Sequence, residues 1–405
     1  MNTPQDVVIL GLSITSSWGN GHATTYRGLV RALAAMGHRV HFLERDVPWY
    51  AENRDLPAPP YCKLSLYRDL EELDALHGQA LRDADLVIVG SYVPDGRAAA
   101  RLALARARGI TAFYDIDTPV TVAALERGDC AYLDRALVSA FDLYLSFTGG
   151  PLLRRIEREL GARAARPLYC SADPEIHRPS ASAAARWDLG YVGTYSADRQ
   201  PGLDELLLEP ARARPERRFA VAGPQYPGSI AWPANVERIE HLPPARHAAF
   251  YSAQRYTLNL TRADMIRAGH SPSVRVFEAA ACATPVVSDR WPGLEAFFVP
   301  GKEILLAGSP AEVLALLDGV PEPERRALGE RARQRVLLEH TGGHRAEALL
   351  GYLAEARERR AVRRNGVHGR NGANGRNGTH PRNGKPAAAG RAAGDRSSAA
   401  YPDQE

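Results

Sequence analysis

The sequence predicts an α/β protein of two tandem Rossmann-like domains, each a doubly wound parallel sheet, facing each other across a cleft. Three observations lead there. Apolar strands alternate with amphipathic helices through the first half, a proline-bearing run of small residues interrupts the rhythm, and the same alternation then restarts. The length of 405 residues, with 45% hydrophobic and 24% charged residues, suits two ordinary cores in a globular chain.

The first strand is the short apolar run VVILG at 7–11, read as buried. A glycine-bearing loop follows, then an amphipathic helix at 24–36 that sets Leu29, Leu33 and Ala34 on one face and stops at Gly37. The next strands fall at 38–43, 85–90, 111–115 and 142–147, with a helix at 97–108 among them. Together they define an N-terminal domain over 1–172. The stretch 173–186, DPEIHRPSASAAAR, has two prolines and a run of small residues, which marks a linker. Strands restart at 189–193, 218–223, 256–260 and 284–288, giving a second domain over 187–342 with helices at 312–317 and 322–339. A last helix is expected at 343–360. From 361 to 405, Arg-Asn-Gly repeats give way to Ala, Gly and Ser without any apolar period, so this tail is expected to be disordered.

The formal net charge is +4, but the tail holds eight basic and three acidic residues, a net of +5, which leaves −1 on the body. Such a body argues against a nucleic-acid partner. Cys62, Cys130, Cys170 and Cys282 are scattered and form no C-x-x-C pair, which argues against a zinc site or a disulfide framework. The start, MNTPQDVVILGLS, lacks the basic region of a signal peptide, and no run of about 18 apolar residues is present to span a membrane. A cytoplasmic protein is expected, with peripheral membrane contact left open.

Parallel sheets bind ligands beyond the carboxyl ends of their strands, so four stretches matter most. The first is SSWGNGHATTYRG at 16–28, where Gly19, Asn20 and Gly21 form a tight loop and His22 stands at a helix start, able to contact a substrate or merely to cap the helix. The loop lacks the third glycine of G-x-G-x-x-G and the Gly-Lys-Ser/Thr of a P-loop, which weighs against a dinucleotide enzyme. The second is YDIDTPVT at 114–121, where Asp115 and Asp117 end a buried strand, fit for a base or a hydroxyl-binding acid. Asp-x-Asp also suits a metal, but no further ligand cluster accompanies it. The third is GYVGTYSADRQPGL at 190–203, where Gly193 and Thr194 offer donors and Arg199 a cation for a phosphate. The fourth is SPSVRVFEAAACATPVVS at 271–288, read as a helix at 272–282 running into a strand. Ser271 is the expected N-cap and Pro272 the first helical residue. The free N–H groups around Ser273, Val274 and Arg275 form an anion site strengthened by the helix dipole. Glu278 lies further along, placed either to accept hydrogen bonds from a ribose or to pair with Arg275 at i, i+3.

On these stretches the sequence resembles the GT-B glycosyltransferases, and within them the CgeB-like, spore-maturation type of group 1 transferase. The resemblance rests on the tandem domains, the glycine-bearing first loop, VRVFEAAACATPVVSDRWPGLEAFF and the N-terminal ILGLSITSSWGNGHATTYRGLVRALAAMGHRVHFLERDVPWY, and covers nearly all of 5–355. It implies a nucleotide-sugar donor on the second domain, an acceptor on the first, and a final helix that crosses back onto the first. It also implies that Glu278 matches the glutamate that binds the donor ribose. A second motif acid would fall eight positions earlier, where this chain has His270, and that departure leaves the sugar and the stereochemical course open.

The expected function is metal-independent transfer of a sugar, with UDP-sugar as the expected co-substrate and no resident cofactor, to an unknown acceptor. His22, Asp115, Asp117 and His270 are the catalytic candidates. Gly193, Thr194, Arg199, Ser273, Val274, Arg275 and Glu278 are the donor-binding candidates. Two alternatives stay open: a nucleotide-sugar 2-epimerase of the same fold, and a catalytically inactive nucleotide-sugar-binding protein, which His270 in an acidic position would suit.

Overall fold

A computed structural model describes residues 3–180 and 185–371. Among them, those up to Ala356 form one compact unit that holds two parallel sheets. The first sheet contains β1 (Asp6–Gly11), β2 (Arg39–Arg45), β3 (Lys63–Tyr67), β4 (Leu86–Gly90), β5 (Ile110–Asp115), β6 (Leu143–Ser146) and β7 (Ala165–Pro167), in the order β3-β2-β1-β4-β5-β6-β7. The second contains β8 (Trp187–Val192), β9 (Phe219–Ala222), β10 (Val236–Ile239), β11 (Gln254–Asn259), β12 (Val286–Ser288) and β13 (Leu305–Leu306), in the order β10-β9-β8-β11-β12-β13. The expectation of two doubly wound α/β domains therefore holds.

Each sheet has apolar clusters on both faces, which is why its central strands read as continuous apolar runs. Each strand order also reverses direction once. In the first sheet this happens between β1 and β4, and in the second between β8 and β11. At such a switch point neighbouring crossovers run to opposite faces and leave a crevice beyond the carboxyl ends of the two strands.

The first long helix, Gly21–Ala35, begins three residues earlier than expected. The reason is local: Asn20 is the N-cap, and its side-chain carbonyl accepts from the His22 N–H at 3.0 Å. The last helix, Gly342–Asn371, packs Ala346, Leu349, Leu353 and Ala356 among Ile9, Val30 and Leu86 of the first sheet's core. It runs to Asn371, past the point where a disordered tail was expected to begin. Residues 372–405 of that tail, and 181–184 of the expected linker, lie outside the described residues. No helix among the described residues is long and apolar enough to cross a membrane.

The two domains meet at defined contacts. Thr148 and Ser271 share a hydrogen bond between hydroxyls at 2.7 Å, and the Gly149 N–H donates to the His270 carbonyl at 3.0 Å. The His270 ring lies between Gly150 and Gly293: a Cβ on either would come within 2.3 or 2.4 Å of it. Gly150 also has φ +64°, a conformation that favours glycine. Gly150→Ala is expected to lower stability by about 1–3 kcal/mol, because clash and left-handed strain add. Denaturant unfolding checks this, and a loss under roughly 0.5 kcal/mol would mean that the His270 ring is not wedged as described.

Candidate active site

Both crevices open where charged and aromatic side chains collect. On the first domain, β4 ends at Gly90 and is followed by Ser91 and Tyr92, and Tyr92 is held at φ +61°, uncommon for a residue other than glycine. Its ring meets the His22 ring edge-on at 5.5 Å, and its hydroxyl donates to Asp117 Oδ2 at 3.0 Å. His22 Nδ1 is buried without a hydrogen-bond partner, and burial pulls the imidazole down to about 4, so it is neutral near pH 7. The loop before it is fixed by Glu44 at the end of β2. Its buried carboxylate accepts from the Ser13 hydroxyl, the Thr15 hydroxyl and the backbone N–H groups of Ile14 and Thr15.

The aspartate pair splits into two roles. Asp115 is fully buried and accepts from the Tyr144 and Thr121 hydroxyls and from the Asp117 N–H at 3.2 Å. Burial pushes its carboxyl up to about 7. It is enclosed by these partners, so the expectation that it faces substrate is corrected: it positions Asp117. β5 ends at Asp115, whereas Asp117 lies beyond it as the N-cap of the helix Thr118–Arg127, where the backbone has left the strand and the two carboxyls no longer share a face. Asp117 Oδ1 is buried with no partner, and burial raises this carboxyl too, against Arg262 and the Tyr92 hydroxyl, which lower it. Arg262 comes from the second domain, just beyond β11, and places Nη1 3.6 Å from Asp117 Oδ2 and Nε 3.6 Å from Asp198 Oδ2. The segment after β5 and the segment after β11 thus meet through Asp117 and Arg262.

On the second domain the expected phosphate-binding elements fall together, with corrections. The helix is Val274–Ala281 with Ser273 as N-cap, so Ser271 is not the cap. A residue before proline avoids the helical region, and Ser271 instead bonds Thr148. The Ser273 hydroxyl donates to Asn259 Oδ1 at 2.9 Å rather than capping. The Gly193 N–H is taken by the Ala222 carbonyl at 2.9 Å, so it is not a free donor. Arg199 donates from Nη2 to the Thr194 carbonyl at 2.7 Å and keeps a buried, unpartnered Nε. Arg275 is buried, donates to the carbonyls of Val192 and Asn259, and lies 4.6 Å over the Tyr191 ring. Among the described residues no carboxylate lies within ion-pair distance of it. Its Nη2 would stand 3.0 Å from a Cβ at Gly193, so the bare glycine leaves this guanidinium room.

Glu278 does not pair with Arg275. Its carboxylate is 3% exposed and sits among three side chains the sequence reading missed. Tyr251 donates to Oε2 at 2.9 Å, His177 Nε2 lies 3.5 Å from Oε1, and His247 Nδ1 lies 3.6 Å from Oε2. Burial alone would raise this carboxyl, but the imidazoles of His177 and His247 and the Tyr251 hydroxyl hold it at about 2. Oε1 has no hydrogen-bond partner. Two histidines and a glutamate have the composition of a metal site. The proton pattern does not fit one. The Asp173 N–H donates to His177 Nδ1, which puts the ring's own proton on Nε2, the atom that would have to ligate.

Residues 199–351 match a family model described as glycosyl transferase-like. No curated protein matches the sequence significantly. Several solved structures share the fold. Sucrose-phosphate synthase from Thermosynechococcus elongatus is 17% identical, with TM-score 0.61, over 88% of this chain and all of that one. HepE of Anabaena, in complex with UDP-glucose, is 14% identical, with TM-score 0.61, over 87% of this chain and 100% of that one. An alpha-glucosyltransferase in complex with UDP is 10% identical, with TM-score 0.65, over 86% of this chain and 100% of that one. The structural neighbours show the GT-B fold, and residues 199–351 are similar to a glycosyl transferase-like family.

Proposed function

We propose that the protein transfers a sugar from a nucleoside-diphosphate sugar, with UDP-sugar as the first candidate, to an acceptor hydroxyl, without a bound metal. One observation carries the reading: Arg275 is a buried cation without a carboxylate partner, at the N-terminal end of a helix, beside a glycine. A diphosphate placed there supplies the missing counter-charge. It also meets the free N–H groups and positive dipole end of the Val274–Ala281 helix. Arg199 lies in the neighbouring loop. The ligands of the similar structures, UDP and UDP-glucose, support this chemistry. Kinship with the CgeB-like group rests on the sequence motif alone.

In the transfer, the acceptor oxygen bonds to the anomeric carbon as the bond from that carbon to the diphosphate oxygen breaks. The acceptor proton goes to the Asp117 carboxylate, and the leaving diphosphate carries its new charge to Arg275, Arg199 and the helix end. Arginine cations here do what a divalent ion does in metal-dependent transferases, and such preorganised charge is usually the largest catalytic contribution. His22, neutral, offers Nδ1 as a hydrogen-bond acceptor to the acceptor substrate. Gly19, Asn20 and Gly21 shape the loop that carries it. His270 is assigned to the domain junction rather than to the chemistry.

Glu278 keeps one oxygen for a ribose hydroxyl. Glu278→Gln is expected to weaken nucleotide binding about tenfold or more, at 1.4 kcal/mol per factor of ten. Calorimetry with UDP on both proteins checks this, and unchanged affinity would remove the ribose role. The function itself is tested by incubating the protein with UDP-, GDP- and dTDP-sugars and following nucleotide release with and without a panel of hydroxyl acceptors. Binding with neither nucleotide release nor any change in the sugar points to an inactive binder, and conversion of donor alone into an isomeric nucleotide sugar, without need of an acceptor, points to an epimerase.

A further inference from the structure

The Glu278 cluster has a proton arrangement that the donor-binding role alone does not require. His247 Nε2–H donates to the Leu242 carbonyl at 3.2 Å, which leaves Nδ1 facing the Glu278 carboxylate. In a neutral ring, Nδ1 would turn a lone pair onto a buried anion. Neither Nδ1 nor Glu278 Oε1 has another partner. His177 favours the carboxylate only through the Nε2–H that it turns toward Oε1 at 3.5 Å, since the Asp173 N–H occupies its Nδ1 and burial lowers its pKa, so it supplies a dipole rather than a balancing charge. Arg275 cannot supply that charge either, since its Nε and Nη1 are turned to Val192 and Asn259 and its Nη2 to Gly193, away from Glu278. A carboxylate this buried needs a compensating charge.

We propose that His247 is that charge: a protonated positioning residue that holds the Glu278 carboxylate in place for the donor and makes donor affinity depend on pH. This rests on the donor-binding reading of Glu278. His247 stands on the short helix His247–Ser252, whose Tyr251 holds the other side of the same carboxylate. The titratable groups that face it are Glu278 from its own domain, Tyr251 from its own helix, His177 from the linker, His241 from the preceding loop and Asp55 from the first domain. Burial alone would lower the His247 pKa, but Glu278, the Leu242 carbonyl and Asp55 together raise it. A histidine raised in the folded state contributes its stabilisation fully below its unfolded value of about 6.5 and loses it as pH climbs through the folded value. The pair is therefore intact at pH 6 and comes apart as pH climbs through the raised folded value. The neutral ring then faces the carboxylate with a lone pair, and the two move apart.

The experiment uses the full chain and two readouts. The first is an NMR titration of the labelled histidine rings without ligand: His247 should titrate above 6.5 in the wild type and drop back in Glu278→Gln. The second is calorimetry with UDP-glucose, whose diphosphate charge is constant over this range, at pH 6 and pH 9. Wild-type affinity should fall about tenfold or more, and His247→Gln should bind weakly at both pH values with less than a twofold difference. A His247 that titrates at or below 6.5 in the wild type overturns the ion pair, whatever the donor does. UDP-glucose affinity that is flat with pH in the wild type, or still pH-dependent in His247→Gln, overturns the link to donor binding. A normal His247 titration with no binding of any nucleotide sugar rejects the donor reading instead and leaves the ion pair standing.

Discussion

Asp117→Asn is expected to lower turnover by about 10²–10⁴-fold, the usual contribution of a positioned proton acceptor. Its Oδ1 is buried without a partner, and its Oδ2 is held by Tyr92 and faces Arg262 across the cleft. Asparagine keeps the shape and the Tyr92 bond but cannot take the proton. Donor affinity should change less than about threefold, because the diphosphate elements belong to the other domain. The pH profile gives a second check. Burial holds the Asp117 carboxyl above its ordinary 3.8, so activity should fall as pH drops through that raised value. The acidic limb should vanish in the variant. A loss of turnover below tenfold, or an acidic limb that survives, would take Asp117 out of the proton transfer. Asp115→Asn is the contrasting substitution: Asp115 binds only Tyr144, Thr121 and the Asp117 N–H among the contacts described, so its effect should appear first in stability.

Arg275→Met is expected to cost roughly a hundredfold in UDP affinity, about 3 kcal/mol for the loss of one or two charged hydrogen bonds to the diphosphate. Methionine keeps an unbranched stem of similar reach against Tyr191 and removes only the charge and donors. Uridine, which has no phosphate, should bind both proteins equally. This separates loss of the phosphate site from general damage to the domain. If uridine and UDP weaken by the same factor, Arg275 is structural. If neither weakens, the diphosphate lies elsewhere, and the central argument for the proposed function fails.

The central strands were legible because burial on both faces writes them as apolar runs. β1, β4, β5, β6, β8, β9, β11 and β12 all fall within a few residues of their expected places. The four strands not anticipated are β3, β7, β10 and β13, and each is the edge of its sheet. An edge strand pairs on one side only and is kept short or polar, so KLSLY, ARP, VERI and LL carry no such run. The helix cap at Asn20 was likewise local, since a side chain bonding two residues on needs nothing from the rest of the chain.

The candidate site divides along the same line. From the sequence alone come Asp117 at a strand's carboxyl end, Arg275 in the first turn of a helix, and Glu278 as an acid among small residues. Which of two aspartates reaches the cleft, that Arg275 lacks a carboxylate partner, and that Glu278 has histidines rather than an arginine beside it were decided only by the tertiary structure. His177 lies in the linker, His247 and Tyr251 on one short helix, and Arg262 beyond β11, each distant in sequence from the carboxylate it meets. Strand order brings them together. Strand order follows from how crossovers pack over a sheet, a property of the whole chain, whereas hydrophobic period and capping are properties of a few adjacent residues.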